Sequence, residues 1–300
     1  MAKDSLELKD RVCVVTGGSR GIGKAVALAL TSRGARVVLG DILDDVGQAT
    51  AQEFNERAGS RVAVYHHTNV VKYKDNISLF QRAEKEFGRV DVAFLNAGTS
   101  AHADIVFGPL DDEADEVSMN VNAISVIKGT KVAIRYLAKY GGGVIVNCAS
   151  FYGFYTADSS AAYAASKHAV VGWTKSFKTL PQICNIRVNA VCPYFVETDL
   201  IRPPFPIPEE HMTPMLKLMR KLPRADMSTV VRAVLMLIED ESINARMFYA
   251  LPNDVVKEQE MLPRLDADAT PEVLKAYQEY DEDLIKFSKA KLEAALKDFQ

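Results

Sequence analysis

The feature that most constrains the fold is a glycine-rich turn near the N-terminus. A short apolar run at residues 12–16 (VCVVT) leads directly into G-G-S-R-G-I-G, and a helical pattern (KAVALALTSRG) follows. A buried strand that enters a helix through such a turn is typical of a nucleotide-binding unit. Glycine lets the backbone approach a pyrophosphate, and the helix directs its first N–H groups towards it. The sequence therefore predicts a dinucleotide site at this turn.

An acidic residue closes the next predicted strand and extends this prediction. The strand at residues 36–40 ends on Asp41, about 20 residues past the turn, where a carboxylate can accept hydrogen bonds from both hydroxyls of an adenosine ribose. The same negative charge repels a 2′-phosphate and favours NAD over NADP. Arg20 argues the other way, because a guanidinium can pair with that phosphate. We give Asp41 more weight, since placing a carboxylate against a phosphate is costly.

Apolar runs alternate with helical patterns as far as residue 251. Strands are predicted at 12–16, 36–40, 61–67, 90–95, near 144, at 186–190 and at 246–251. Helices are predicted at 44–58, 72–87, 111–139 (as one long helix), from 161 onward and at 228–239, with Ser228 as the N-cap of the last. This rhythm predicts an α/β fold: a doubly wound, Rossmann-type parallel sheet of seven strands with helices on both faces.

The C-terminal part departs from the alternating pattern. We expect residues 1–253 to form one Rossmann-type domain. The proline-dense stretch PPFPIPEEHMTP opens a substrate lid at about 200–225, with a short helix at 215–222. The alternative for this stretch is a surface connection without a role. Residues 254–300 form a charged helical extension from Pro271 onward, which packs on its own domain or a neighbouring subunit, or else remains a mobile tail.

Composition excludes several classes of function. A net charge of −3 without a basic stripe gives no reason to expect a nucleic-acid partner. Five histidines and four cysteines, without a C-x-x-C or H-x-x-x-H spacing, predict no metal site. The N-terminus lacks a signal-peptide pattern, and no run reaches the ~18 apolar residues of a membrane span. We therefore expect a cytoplasmic enzyme whose four thiols are reduced.

A second chemical motif lies at residues 150–167. Tyr163 and Lys167 are four residues apart on a predicted helix and so share a face. An ammonium beside a phenol favours the phenolate, which can then act as a base near neutral pH. Ser150 follows the predicted strand near 144 and can offer its hydroxyl to the same substrate oxygen. The alternative is an ordinary Tyr–Lys pair, which is common on helices.

The order and spacing of these motifs resemble the short-chain dehydrogenase/reductase family. The resemblance rests on T-G-G-S-R-G-I-G, N-A-G, Ser150 and Y-A-A-S-K, and covers the chain from about Lys9 to Leu251. It implies that Tyr163 is the general acid/base and that Lys167 assists it and holds the nicotinamide ribose. It also implies that Ser150 binds the substrate oxygen and that Asn122 completes a water relay to the lysine. A homodimer or homotetramer through the long helices is implied as well.

The resemblance further assigns a cofactor site. Its residues are Gly17, Ser19, Arg20, Gly21, Ile22, Gly23, Asp41, Ile42, Asn69, Val70, Asn96, Ala97, Gly98, Tyr163, Lys167, Pro193, Val196 and Thr198. Two positions depart from the family pattern: Asn69 stands where Asp is more frequent, and Tyr194 stands where Gly usually follows the proline. With Tyr152 nearby in sequence, Tyr194 indicates an aromatic, apolar substrate pocket in which Ser150, Tyr152 and Tyr194 contact the substrate. The alternative is that aromatic residues in this region simply belong to the core.

Three functions remain open. The first is an NAD-dependent oxidoreductase that interconverts a secondary alcohol and a ketone on an apolar small molecule. The second is an NADPH-dependent ketone or imine reductase of a biosynthetic pathway, supported by Arg20. The third is a family member that catalyses a non-redox step or only binds, which Tyr194 keeps open because fold does not fix function.

Overall fold

The chain folds around a single sheet covered by helices. The computed structural model describes residues 6–100, 106, 108–156, 158–201, 208, 212–260 and 270–298. Its strands are β1 (Val12–Thr16), β2 (Arg36–Asp41), β3 (Ala63–His67), β4 (Val92–Leu95), β5 (Gly143–Cys148), β6 (Ile186–Pro193), β7 (Met247–Leu251) and β8 (Val255–Glu258). They form one sheet in the order β3-β2-β1-β4-β5-β6-β7-β8. The order reverses between β1 and β4, which is where doubly wound sheets bind their ligands.

The predicted doubly wound sheet is confirmed, but it has eight strands and not the predicted seven. Strands β1 to β7 run parallel, and β8 adds an eighth strand that pairs antiparallel with β7, Leu251 opposite Val255. The parallel strands are buried on both faces: β1, β4 and β6 contain no exposed residue. Such runs of apolar residues without alternation are expected where helices cover both sides of a sheet.

Ten α-helices within the described residues surround the sheet. They are α1 (Gly21–Thr31), α2 (Asp44–Ala58), α3 (Tyr73–Phe87), α4 (Asp112–Met119), α5 (Ser125–Lys139), α6 (Ala161–Lys175), α7 (Leu180–Cys184), α8 (Pro214–Lys221), α9 (Met227–Glu239) and α10 (Pro271–Lys297). One apolar core includes Phe54, Phe94 and Leu237 on the α1 and α9 side. A second includes Leu79, Phe80 and Leu137 on the α3 and α5 side. The two cores confirm that helices cover both faces.

Two helix predictions need correction. The helix predicted at 111–139 is interrupted by a π-helical turn at Asn120–Ile124, which separates α4 from α5. The helical periodicity of the sequence continues through the turn, and so the wider turn leaves no mark in the pattern. Ser228 is not an N-cap: Asp226 takes that position, and Ser228 lies inside the first turn of α9.

The predicted lid and tail are described in part. The short helix expected at 215–222 is present as α8, with the Thr213 hydroxyl accepting a hydrogen bond from the Leu216 amide at its N-terminus. Residues 202–207 and 209–211 of the proline-dense stretch lie outside the described residues. The helix predicted from Pro271 is present as α10. No helix among the described residues is both long and apolar enough to cross a bilayer.

Candidate active site

A deep cleft lies where the parallel strands end. A cavity of about 390 Å³ opens at the carboxyl ends of β1, β2, β4, β5 and β6, and it is lined mainly by apolar atoms. The glycine turn and Asp41 line one part of the cavity, and Ser150, Tyr163 and Tyr194 line another. Both motifs of the sequence therefore lie on one cavity, at the reversal of strand order where this kind of sheet binds ligands.

The glycine turn has the backbone shape that a pyrophosphate site needs. Gly17 and Gly21 have φ angles of +63° and +57°, a region that side chains disfavour. A Cβ on Gly23 would lie 2.1 Å from the Gly17 carbonyl oxygen, so only glycine allows α1 to approach the turn this closely. Helix α1 begins after Arg20, with no side chain capping its first N–H groups. These amides and the dipole of α1 therefore fit a bound pyrophosphate.

Asp41 is held in place by three backbone amides. Its carboxylate accepts hydrogen bonds from the amides of Ser19 at 3.0 Å, Ile42 at 2.8 Å and Leu43 at 3.2 Å. A carboxylate has about four acceptor positions, so one remains for a hydroxyl of the adenosine ribose. The Tyr65 hydroxyl lies 2.8 Å from the Asp41 carbonyl oxygen and 2.6 Å from the Asp44 carboxylate, and its one proton is shared between these two acceptors. The charge of Asp41 is thus anchored at the edge of the cavity.

Arg20 is paired across the mouth of the cleft. Its guanidinium lies 3.1 Å from the Asp199 carboxylate, and both side chains are 57% exposed. Asp199 belongs to the segment after β6, whose Leu200 carbonyl also accepts a hydrogen bond from the Ser100 hydroxyl at 2.8 Å. These two contacts join the turn after β6 to the turns after β1 and β4. The positive charge of Arg20 is therefore partly neutralised by Asp199.

The turn after β4 is tied directly to the glycine turn. The Asn96 side-chain amide donates to the carbonyls of Thr16 and Gly17, at 3.1 Å in both cases. The Thr16 hydroxyl oxygen accepts from the amides of Asn96 at 3.0 Å and Ala97 at 3.2 Å. These four bonds hold the N-A-G motif against the end of β1, and they explain why an asparagine is needed at the end of β4.

Ser150, Tyr163 and Lys167 converge on the cavity. The Ser150 oxygen accepts a hydrogen bond from the Tyr152 amide at 3.2 Å, which leaves its hydroxyl hydrogen free to be donated elsewhere. The Lys167 ammonium lies 5.7 Å from the centre of the Tyr163 ring and donates to the Cys148 carbonyl at 2.9 Å. Lys167 is 4% exposed, so its charge acts at short range in a poorly solvated site.

Asn122 lies behind the cavity wall. It sits in the π-helical turn, fully buried, and is not among the residues that line the cavity. Its carboxamide oxygen accepts from the Thr99 amide at 2.8 Å. Its nitrogen donates to the Thr99 carbonyl at 3.0 Å and to the Ser166 hydroxyl at 3.1 Å. Asn122 thus links the turn after β4 to α6, the helix that carries Tyr163 and Lys167.

Aromatic rings form one wall of the cavity. Tyr152 meets Tyr163 edge-on with ring centres 6.1 Å apart, and it meets Phe195 in the same way at 5.9 Å. Tyr194 in turn meets Phe195 at 4.9 Å and Phe151 at 5.0 Å. Burial, with a smaller contribution from Tyr194 and Tyr163, raises the pKa of Tyr152, which keeps this wall uncharged. Met215 and Met219 of α8 also line the cavity, so this short helix contributes to the same pocket.

Most of the predicted site residues lie on this cavity. Three do not: Ser19 and Gly23 are buried within the glycine turn and the first turn of α1, and Asn122 lies behind the wall. The sequence interpretation missed several contributors: Thr99 and Ser166, which hold Asn122, and Asp199, which holds Arg20. The Ser166 position is readable from Y-A-A-S-K, whereas Asp199 carries no signal at a separation of 179 residues. The described side chains include no group of three or more His, Cys, Asp or Glu that could hold a metal ion.

Comparisons with known proteins agree with this geometry. A family model described as short chain dehydrogenase matches residues 11–205. The NAD(+) 15-hydroxyprostaglandin dehydrogenase of Bos taurus is 28% identical over 252 residues, 80% of this chain and 90% of that protein. Momilactone A synthase of Oryza sativa subsp. japonica is 35% identical over 202 residues, 67% of this chain and 72% of that protein.

Two further relatives extend the comparison. The 3beta-hydroxysteroid dehydrogenase 2 of Eggerthella lenta is 34% identical over 200 residues, 66% of this chain and 76% of that protein. A crystal structure described as a short-chain alcohol dehydrogenase, from Sinorhizobium meliloti 1021, has a TM-score of 0.71 and 26% identity, and it covers 81% of this chain and 96% of its own. Together with the family model, these similarities show that the chain belongs to the short chain dehydrogenase family of oxidoreductases, whose members bind NAD or NADP.

Proposed function

We propose that this protein is an NAD-dependent oxidoreductase that interconverts a secondary alcohol and a ketone on an apolar small molecule. The observation that carries the proposal is the single cavity shared by Asp41, the glycine turn, Ser150 and Tyr163. A dinucleotide bound along the turn would extend from Asp41 towards the Tyr163 region. The similarity to an NAD(+) 15-hydroxyprostaglandin dehydrogenase supports the same cofactor.

Each catalytic side chain has one task in this proposal. When bound, the nicotinamide supplies the hydride acceptor or donor. Tyr163 transfers the proton to or from the substrate oxygen, and the Lys167 ammonium, 5.7 Å from the centre of the Tyr163 ring, assists that transfer. Ser150 donates its hydroxyl hydrogen to the same oxygen, because its own oxygen already accepts from the Tyr152 amide. Asn122 positions α6 through its hydrogen bond to Ser166. We propose that Asn122 also completes a water relay to Lys167.

The cofactor choice follows from two charges. The Asp41 carboxylate is fixed at the cavity edge by three amides and would face the adenosine ribose. A 2′-phosphate there would meet that charge at close range, at a cost of the order of 1–4 kcal/mol at a separation of about 4 Å. Arg20 could offset this cost, but its guanidinium is already paired with Asp199. These contacts favour NAD over NADPH.

The substrate class follows from the wall opposite the cofactor turn. Tyr152, Tyr194 and Phe195 present rings to the cavity, and Met215 and Met219 complete an adaptable apolar surface. An apolar molecule, and an aromatic or polycyclic one in particular, would fill such a pocket. Ser150 and Tyr163 are the polar groups that would select an alcohol or carbonyl within it.

Replacing Tyr163 by phenylalanine tests the mechanism. The Tyr163→Phe variant keeps the ring and loses the proton-transfer group, so turnover should fall by roughly 10²- to 10⁴-fold while NADH binding changes little. Turnover is followed by nicotinamide absorbance over a panel of apolar secondary alcohols and ketones, and binding by fluorescence titration. Tyr155→Phe is a matched control, because Tyr155 is 52% exposed and does not line the cavity. Retained turnover in Tyr163→Phe would refute the mechanism.

One observation keeps an NADPH-dependent ketone or imine reductase as a second candidate. Arg20 lines the cavity and is 57% exposed, so it could leave Asp199 for a phosphate. Parallel titrations with NADH and NADPH separate the two candidates, and tighter binding of NADPH would overturn the argument from Asp41. If no substrate in the panel changes the nicotinamide absorbance, the result favours a non-redox family member. Tyr194, which stands where the family usually has glycine, is the reason to consider that class.

We also retain two expectations about the protein in the cell. We propose a cytoplasmic location, which the composition and the four free cysteines support. We also propose a homo-oligomer, an expectation that the family membership supports. Fractionation and mass measurement in solution test the two expectations.

A further inference from the structure

The aromatic wall of the cavity carries phenol hydroxyls that the protein itself does not bind. Tyr152 and Tyr194 line the cavity and are half-buried, and within the described part of the chain neither hydroxyl makes a hydrogen bond. Tyr65, which is half-buried away from this wall, has two acceptors: the Asp41 carbonyl at 2.8 Å and the Asp44 carboxylate at 2.6 Å. A phenol that is shielded from water normally has such a partner. The two hydroxyls of the wall are therefore available to a ligand.

Tyr152 and Tyr194 are grouped with Tyr163 at one end of the cavity. The Tyr152 ring meets the Tyr163 ring edge-on, with centres 6.1 Å apart. Tyr152 and Tyr194 also pack against the same ring, that of Phe195, at 5.9 Å and 4.9 Å. Burial raises the pKa of Tyr152, and the neighbouring Tyr194 and Tyr163 phenols raise it further. Tyr152 is therefore a neutral hydrogen-bond donor beside the phenol to which we assign the proton transfer.

The charges around the cavity indicate which kind of group these hydroxyls would bind. Among the described residues that line the cavity, the cations are Arg20 and Lys167. Arg20 is paired with Asp199 at the mouth of the cleft, and the Lys167 ammonium donates to the Cys148 carbonyl. A carboxylate on the ligand would therefore meet phenols without a free cation beside them, and its desolvation would be costly. A neutral hydroxyl or carbonyl oxygen can bond a phenol without that cost.

We propose that the Tyr152 and Tyr194 hydroxyls form a second oxygen-binding subsite beside Ser150 and Tyr163. The substrate is then an apolar molecule with two neutral oxygen groups: the alcohol or ketone that reacts, and a hydroxyl or carbonyl that the two phenols bind. A substrate without the second oxygen would cover these hydroxyls and leave them without a partner, so it should bind roughly 5- to 150-fold more weakly. The inference rests on the proposed function for the reacting oxygen and adds the second one.

Calorimetric titration with matched ketones tests the subsite. The probes are 1-tetralone, an apolar bicyclic ketone, and a set of its monohydroxy derivatives. The protein is first saturated with NAD⁺, or with NADP⁺ if the titrations above show that it binds more tightly. An oxidised cofactor cannot reduce a ketone, so the measured Kd does not depend on turnover. At least one derivative should bind roughly 5- to 150-fold more tightly than 1-tetralone, because its added hydroxyl pairs with the phenols.

Removing the two hydroxyls assigns this preference to them. The double variant Tyr152→Phe/Tyr194→Phe keeps both rings, so it should bind 1-tetralone at least as tightly as the parent chain and lose the preference for the derivative. Each single variant should lose part of it. Tyr155→Phe is the matched control, because Tyr155 is 52% exposed and does not line the cavity, and it should leave both affinities unchanged. Thermal unfolding shows whether each variant remains folded.

Three results would each overturn the inference. In the first, no derivative binds the parent chain more tightly than 1-tetralone does. In the second, the preference survives in the double variant. In the third, the double variant loses affinity for 1-tetralone and for the derivative by the same factor, which shows that the rings and not the hydroxyls matter. The turnover of Tyr163→Phe decides the proposed reaction separately, since a preference in binding can persist where no redox reaction occurs.

Discussion

Gly23→Ala tests whether the contact between α1 and the glycine turn determines cofactor affinity. The new Cβ would lie 2.1 Å from the Gly17 carbonyl oxygen and 2.8 Å from the Asn96 side-chain nitrogen. Carbon and oxygen normally approach to more than 3 Å, so α1 and the turn must separate by about 1 Å. Asn96 cannot yield easily, because its amide already donates to the carbonyls of Thr16 and Gly17.

The expected magnitude follows from the cost of inserting one methyl group into a packed site. Overpacking of this kind costs about 1–3 kcal/mol. Relief of the clash would displace the first amides of α1 from the position they need to hold a pyrophosphate. If the whole cost appears in the binding of NADH, Kd rises roughly 5- to 150-fold, since about 1.4 kcal/mol corresponds to a factor of ten.

Calorimetric titration with NADH measures this effect, and thermal unfolding shows whether the variant remains folded. Gly172→Ala is the matched control, because a Cβ at that position of α6 meets no atom within 4 Å. The control should bind NADH as the parent chain does and unfold at the same or a slightly higher temperature. An unchanged Kd in a folded Gly23→Ala variant would refute the view that this contact sets the cofactor site.

Three further changes probe other parts of the molecule. Asp41→Asn keeps an acceptor oxygen but removes the charge, so the ratio of kcat/KM for NADH over NADPH should fall roughly tenfold; an unchanged ratio would contradict the role of Asp41. Arg187→Met removes bonds of 2.9, 2.6 and 2.9 Å to the carbonyls of residues 237, 238 and 243, and urea unfolding should show a loss of about 3–5 kcal/mol. Ser166→Ala breaks the link from Asn122 to the Tyr163 carbonyl, and kcat should fall roughly tenfold at unchanged Kd for NADH, whereas a purely structural role would change Tm alone.

The sequence predicts the parallel strands well because each is a short apolar run bounded by turn residues. Helix α2 has the predicted bounds, Asp44–Ala58, because Gly59 ends it with a φ of +63°. Strand β8 was missed for a physical reason: V-V-K-E is short, three of its four residues are exposed, and only β7 pairs with it. The formation of such a strand depends on pairing with its neighbour, and its own residues show no hydrophobic pattern that would predict it.

The polar contacts of the site are harder to predict than its residues. The family resemblance points to Asn122, but its partner Thr99 is 23 residues away, and nothing in the intervening sequence indicates that the two meet. The π-helical turn that carries Asn122 retains the helical periodicity, so the sequence predicts one continuous helix there. Tertiary packing decides both features, and a single sequence does not encode packing in a local pattern.

The interrupted helix, the N-A-G turn and the Y-A-A-S-K helix form one packing unit, and Gly98 explains why. A Cβ on Gly98 would lie 3.1 Å from the Asn122 side-chain oxygen and 3.6 Å from the Lys167 ammonium, so the missing side chain leaves room for both polar groups. The wider turn at Asn120–Ile124 brings the asparagine to this point, where Thr99 and Ser166 fix its carboxamide. The buried Lys167 ammonium then reaches the Cys148 carbonyl at the end of β5. The position of this lysine therefore depends on backbone geometry in two other segments as well as on its own helix.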